Sequence, residues 1–347
     1  VAIEPASELA SAVPEAIIAE GGRTRVAGLA PWRIALRRLR RNRVALAFGA
    51  LFLVIVAMCL AAPIYASQIA HTDPFKNHLT DQITIDGVKR DVVAPSGVPI
   101  GPTYSGRFFL GADGNGRDIA VRLLYGGRTS LTIGIGAALM STLLSIVAGT
   151  LAGFYRGRVD AVITQILNLI WSFPPVLLGI ALGTALALGG LKIGPLELDG
   201  DSKLIPSIII AIVTVPYTAR PLRGQVLALR EKEFVEAARA QGAGSLRIMF
   251  SEILPNLSST LVVFFPLMVA SAIGFEAALS FLGAGVRPPN PSWGTMIADG
   301  VERIITGPHL AIVPGVMLVL SLLGLNVFGD GVRDAFDPRA KVRVRRS

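Results

Sequence analysis

Cysteine is almost absent. Cys59 stands alone among 347 residues, inside an apolar run, so an intrachain disulfide is excluded and thiols leave no mark of the compartment. Histidine is scarce too: His71, His78 and His309 fall at no metal-ligand spacing and read as ordinary loop residues, and no metal is expected. Charge is thin, at 16% of residues against 52% hydrophobic, a balance that excludes an ordinary soluble domain. No Gly-x-x-x-x-Gly-Lys-Ser/Thr run occurs, and no glycine is followed directly by lysine. The chain is therefore not expected to bind the phosphates of a nucleotide, and no cofactor is expected. Nucleophile–base pairs are missing as well. Ser172 has no neighbouring His or Lys, and no two carboxylates share a helix face inside an apolar run, which leaves an intramembrane enzyme without its parts.

What is present is a series of long apolar windows, each long enough to cross a hydrocarbon core about 30 Å thick as a helix. The expected fold is an all-α membrane protein with six transmembrane helices. Residues 1–43 read as a cytoplasmic tail ending in a basic interfacial helix, in which Trp32, Leu36 and Leu39 recur at i, i+4 and i+7 among arginines. That pattern suits an anionic lipid surface; the apolar run that follows at once makes a nucleic-acid arm improbable, despite the formal charge of +9. The first span occupies 44–65. Residues 66–128 carry no span and read as an irregular or partly β extracytoplasmic loop; Asp113, Asn115 and Asp118 lack the downstream glutamate of a calcium loop.

Residues 129–330 hold the remaining five spans, and 331–347 form a second cytoplasmic tail. The third span contains Trp171-Ser172-Phe173-Pro174-Pro175, and Pro174 and Pro175 should kink or interrupt it. Freed carbonyls at such a break need partners, so Trp171, Pro174 and Pro175 are candidates for a pathway lining. The fourth apolar block, 204–217, is short. With both termini inside, roughly two thirds of the 33 Lys and Arg fall on the cytoplasmic side, which supports that orientation.

Between the fourth and fifth blocks lies a polar island, 231–256. On a helix, Phe234, Ala237, Ala238 and Gln241 fall on one side and Lys232, Glu236 and Arg239 on the other. Gly242 suits a left-handed C-cap, and Ser245 is placed to N-cap a second short helix beginning at Leu246. Pro255 then marks the next apolar run.

Glu236-Ala237-Ala238, Gly242 and Leu254-Pro255 resemble the EAA loop of ABC importer permeases. Three further stretches resemble the peptide and nickel subgroup: Leu110 to Leu131; Phe281 to Pro289 with Pro291-Ser292-Trp293-Gly294; and Gly329 to Asp334 with Asp337-Pro338-Arg339. The resemblance implies a type I (MetI-like) permease fold, and the second of two membrane subunits of a dipeptide or oligopeptide importer. It also implies the partners: a paralogous permease subunit, one or two cytoplasmic ATPases that hold the ATP, and an extracytoplasmic peptide-binding protein. Glu236, Ala237, Ala238, Gly242, Leu254 and Pro255 would dock the ATPase. Dipeptide, longer peptide, glutathione and nickel chelate all remain open as cargo. Read without the resemblance, the prolines at 288–291 make a rigid turn and Trp293 suits an interfacial belt. The rival is an ion-coupled secondary transporter, for which Glu276 is the main intramembrane carboxylate; a hydrogen bond or water contact is its plainer explanation.

Overall fold

Asn42 divides the start of the chain into two helices because its side chain accepts a hydrogen bond from the Ala45 amide at 3.1 Å, capping the second. The computed structural model describes residues 31–85, 87–193, 196–200 and 202–336, so the expected tail before Pro31 and the Asp337-Pro338-Arg339 motif lie outside the described residues. Helix α1 (Pro31–Arg41) packs on the last helix of the chain with Ala35 buried, while Trp32 and Leu36 stay exposed. Helix α2 (Arg43–Leu60) is the first candidate span. A short helix α3 (Ala62–Tyr65) and one π turn (Ala66–Ala70) extend it to His71, whose φ of 49° ends the run.

The segment that follows is partly β, one of the two forms the sequence left open. It contains an antiparallel pair, β1 (Gln82–Ile85) and β2 (Val88–Asp91), and a small core of Val92, Phe108 and Ala112. Helical structure begins just after Asp118, within the expected 66–128 loop. Asp118 is fully buried; Oδ1 accepts from the Ala120 and Val121 amides at 3.0 and 3.2 Å, and Oδ2 from the Phe108 amide at 2.7 Å and Thr72 Oγ1 at 3.3 Å. One carboxylate thus starts a helix and ties two loop segments to it. Helix α4 (Ile119–Tyr155) has 37 residues. At 1.5 Å per residue that is about 55 Å, well beyond a bilayer core. Its first turns bury Arg122, which pairs with Asp113 at 3.3 Å and donates to the Pro74 carbonyl at 3.0 Å. Arg117 holds the same aspartate at 2.7 Å. The histidines are not uniform loop residues either: His78 is buried and meets Asp81 at 2.7 Å.

The third span is broken. Helix α5 (Gly157–Ser172) and helix α6 (Pro175–Gly189) meet at 92°, because Phe173 and Pro174 take extended backbone ahead of the proline pair. A small hairpin, β3 (Leu191–Ile193) with β4 (Leu196–Leu198), leads on. Helix α7 (Leu204–Leu229) is not a short block: its 26 residues continue twelve past Tyr217, and Pro216 and Pro221 lie within it. Arg220 and Arg223, which lie beyond the apolar block, find partners on α5.

Helix α7 packs most extensively on α4. Gly149 and Gly153 make that possible, since a Cβ at these positions would lie 2.9 Å from the Ala219 carbonyl and 2.6 Å from Val226 Cβ. Beyond α7 come helix α8 (Glu233–Ala240), helix α9 (Ser245–Ile248), a π turn (Met249–Ile253) and helix α10 (Leu254–Phe281). Helix α11 (Trp293–Val301) and helix α12 (His309–Phe336) complete the chain. Among the described residues five helical stretches are long and apolar enough to span, and the bent α5–α6 pair, counted as one span, makes a sixth.

The main core joins Ile133, Ile209, Ile210, Ile273 and Leu279 to Trp293. Trp293 is not at an interfacial rim. It is fully buried, its indole N–H donates to the Leu123 carbonyl at 3.1 Å and its amide to Ser130 Oγ at 3.1 Å. Glu276 is also fully buried and accepts from Ser280 Oγ at 2.7 Å.

Candidate functional site

The 231–256 loop forms an elbow rooted where the ends of α4, α7 and α10 meet, beside the junction of α4 and α5. Arg230 donates to the Phe154 carbonyl, and Glu231 accepts from Arg156 at 2.7 Å and pairs with Arg230 at 3.2 Å. These contacts fix the point where α7 hands over to the loop. Glu233 and Glu236 lie in the first turn of α8 and Arg239 in its last, each at the end where the helix dipole favours its charge.

The inward face of α8 differs from the sequence expectation. Val235 is the buried residue, with Ala238 half-buried one turn on, and both pack with Phe154, Leu222, Val226, Ile248, Met249, Ile253 and Leu257. Phe234, Ala237 and Gln241 are exposed, beside the exposed Glu236. The spacing predicted an amphipathic helix, but its anchor is one position later because α8 is short and a single branched side chain fixes it.

At Gly242 the turn matches the expectation. Its φ is +79°; its amide donates to the Arg239 carbonyl at 2.9 Å and the Ala243 amide to the Ala238 carbonyl at 3.0 Å. This pair of bonds is a Schellman closure, which satisfies the last carbonyls of the helix. No atom lies within 4 Å of where a Gly242 Cβ would be, so the backbone conformation alone calls for glycine here.

The second half differs again. Gly244, not Ser245, occupies the N-cap, with no side-chain cap bond. Helix α9, the π turn and α10 then run on without a break, giving one helical stretch from Ser245 to Phe281. The π turn brings both Met249 and Ile253 into the buried cluster, leaving Glu252 at its edge and resolving which face packs. Leu254 packs against that same cluster, as Ala238 does, while Pro255 is exposed near the start of α10. Of the six residues singled out in the sequence, Ala238 and Leu254 therefore meet one core. Glu236, Ala237 and Gly242 form the outer surface of the elbow.

The other candidates, Trp171, Pro174 and Pro175, sit at the 92° break. Trp171 packs on Tyr217 with ring centroids 4.7 Å apart, and the Arg220 guanidinium lies 4.1 Å from the Trp171 centroid. Arg220 was missed in the sequence reading. The available signal was its i, i+3 relation to Arg223 directly after an apolar run.

Residues 145–342 match the family described as binding-protein-dependent transport system inner membrane component, and residues 30–82 match the N-terminal TM domain of oligopeptide transport permease C. The chain belongs to the binding-protein-dependent transport permeases. Permeases of this family are the non-catalytic membrane components of ABC importers, multi-pass proteins that work with an ATPase and a binding protein. Similar full-length permeases include the glutathione transport system permease protein GsiD of Pectobacterium atrosepticum, 34% identical over 90% of this chain and 92% of the relative. The dipeptide transport system permease protein DppC of Alkalihalophilus pseudofirmus is 35% identical over 90% of this chain and 91% of its own. The di/tripeptide permease DppC of Pseudomonas aeruginosa is 36% identical over 84% and 88%. Among solved permease structures, the inward facing MetNI methionine ABC transporter aligns with 62% of this chain and 96% of its own at 19% identity, with a TM-score of 0.49.

Proposed function

We propose that this permease is one of two paralogous membrane subunits of a bacterial peptide importer, sits in the inner membrane with both termini cytoplasmic, and takes peptides delivered by an extracytoplasmic binding protein. Paired cytoplasmic ATPases grip the outer face of α8, at Glu236, Ala237 and Gly242. Ala238 and Leu254 join that face to the bundle. Closure of the ATPases then moves the elbow, and the spans rock between two packed arrangements. The broken third span, at Trp171, Pro174 and Pro175, borders the path.

The single observation that carries this reading is the elbow itself: an exposed helix whose root packs on α4, α7 and α10 and whose far arm is continuous with a candidate spanning helix. Such a part transmits a push instead of absorbing it. The arginine-rich α1, with no acidic residue between Glu20 and Asp73, supports the orientation, since that end would rest against anionic lipid. The relatives' names favour di- and tripeptides, and the likeness to a glutathione permease makes that γ-linked tripeptide a second cargo to test.

The test is uptake of labelled dialanine into vesicles holding this chain, its paralogue and the ATPases, with binding protein outside and ATP inside. Accumulation that stops without ATP is expected, with glutathione tried as competitor. Uptake that continues without ATPases and follows an ion gradient would overturn the importer reading.

A further inference from the structure

Helix α5 presents a polar stripe to α7, with Asp160, Thr164, Asn168 and Trp171 at near-helical spacing. The rung nearer the 231–256 loop is neutralised: Arg223 donates from Nε and Nη2 to both oxygens of Asp160, each at 2.6 Å. The next rung is not. Arg220 donates from Nη2 to Asn168 Oδ1 at 2.9 Å and stacks on Trp171 at 4.1 Å, and no carboxylate pairs with it among the described residues.

An unpaired guanidinium inside a span is costly to keep in an apolar medium, and such residues mark the route of a solute or ion. Snorkelling to the membrane surface does not account for this one. Arg220 lies nine residues before the end of α7, about 13 Å along the axis, and its guanidinium is held by Trp171 and Asn168 of α5. The surroundings are open: Trp171, Phe173 and Tyr217 are each close to half exposed, at 45%, 50% and 45%. They lie where α5 and α6 diverge by 92°, which removes the stretch of helix that would otherwise cover the guanidinium.

We propose that Arg220, framed by Trp171 and Tyr217, is the contact through which the path recognises the C-terminal carboxylate of a crossing peptide. The inference rests on the peptide-importer reading and adds which group of the cargo is read, and by what. Asn168 occupies one donor of the guanidinium, and the rest of the planar fork is free to meet a carboxylate in two parallel hydrogen bonds. The Trp171 ring covers one face of the guanidinium, and Tyr217 stacks on that ring in turn. A carboxamide in place of the carboxylate loses the charge and cannot accept two such bonds.

The experiment compares dialanine with alanyl-alaninamide, each at a concentration that saturates the binding protein, in vesicles holding the full complex with wild-type chain, Arg220→Gln or Arg220→Lys. ATP hydrolysis stimulated by binding protein reports that each complex is assembled. For Arg220→Gln the expected result is a loss of dialanine uptake of about ten-fold with amide uptake unchanged, the size of one charge-assisted contact. Arg220→Lys should recover part of the acid uptake. Equal loss of both cargos in an assembled complex, or no loss of either, would overturn the assignment. A wild-type complex that imports neither peptide would instead sink the peptide reading itself, so the two failures are told apart.

Discussion

Arg223 and Asp160 form a two-pronged ion pair, both bonds 2.6 Å long, that fastens the last third of α7 to the first turn of α5. It also lets α7 carry charge through an apolar neighbourhood without ending. Asp160 is further held by Thr164 Oγ1 at 3.0 Å. Removing the guanidinium leaves a mostly covered carboxylate with that hydroxyl alone. Arg223→Gln should lower the stability of the purified complex by about 1.5–3 kcal/mol, and the charge-reversed double variant Asp160→Arg with Arg223→Asp should recover part of the loss. Thermal melting in detergent checks both, and equal melting of the single variant and the wild type would remove the pair from the fold's support.

Gly242 is expected to tolerate substitution in volume but not in backbone angle. Gly242→Ala should cost about 1–2 kcal/mol locally because its φ of +79° is unfavourable for a side chain. Gly242→Asn should cost less, and Gly242→Val, branched at Cβ, should abolish uptake while the protein still reaches the membrane. Uptake assays alongside membrane immunoblots give the ranking, and normal uptake by the valine variant would count against a lever that depends on this turn.

Ala237 and Val235 separate docking from anchoring. Ala237→Arg, on the exposed face of α8, should leave the melting temperature of the chain unchanged but prevent co-purification of the ATPases. Val235→Asp should do the reverse at first, lowering the melting temperature because it buries an unpaired carboxylate in the cluster of Phe154, Leu222 and Ile253. If both variants lose ATPase and stability together, α8 has no separate outer surface.

Trp293→Ala should be among the most destabilising changes in the chain, by about 3–5 kcal/mol, since it empties a fully buried site. Trp293→Phe keeps most of the volume and loses the bond to the Leu123 carbonyl, so a cost nearer 1 kcal/mol is expected. Melting of the two variants in the same detergent tests the order.

Asp118→Ala should detach the 71–118 segment from the start of α4. The helix-cap loss alone is about 1–2 kcal/mol, and the Phe108 amide and Thr72 hydroxyl lose their acceptor with it. Limited proteolysis should cut between 71 and 118 faster in the variant, with the spans still intact.

The elbow was legible in the sequence because its determinants are local: a glycine at a helix end, after a short stretch with apolar and charged residues on opposite sides. What was not legible depended on contacts distant in sequence. The fourth apolar block read as stopping at 217 because the partners of Arg220 and Arg223, Asn168 and Asp160, lie on another helix. Trp293 reads as an interfacial residue because its hydrogen-bond acceptor belongs to Leu123. Ile119 starts a helix ten residues before the apolar pattern does, since Asp118 caps it and Arg122 is neutralised by Asp113 from the preceding loop. The anchor of α8 fell one residue from the expected face because a two-turn helix gives too few positions to fix its phase.

The unbroken run from Ser245 to Phe281 has a geometric consequence. If the ATPases grip α8 as proposed, a continuous member of that length, about 55 Å along its axis, works as a pointer: a tilt of about 10° pivoting at the elbow sweeps its tip through roughly 10 Å. That sweep is comparable to the width of an extended peptide, so a small stroke on one side of the bilayer suffices to shut or clear the doorway on the other.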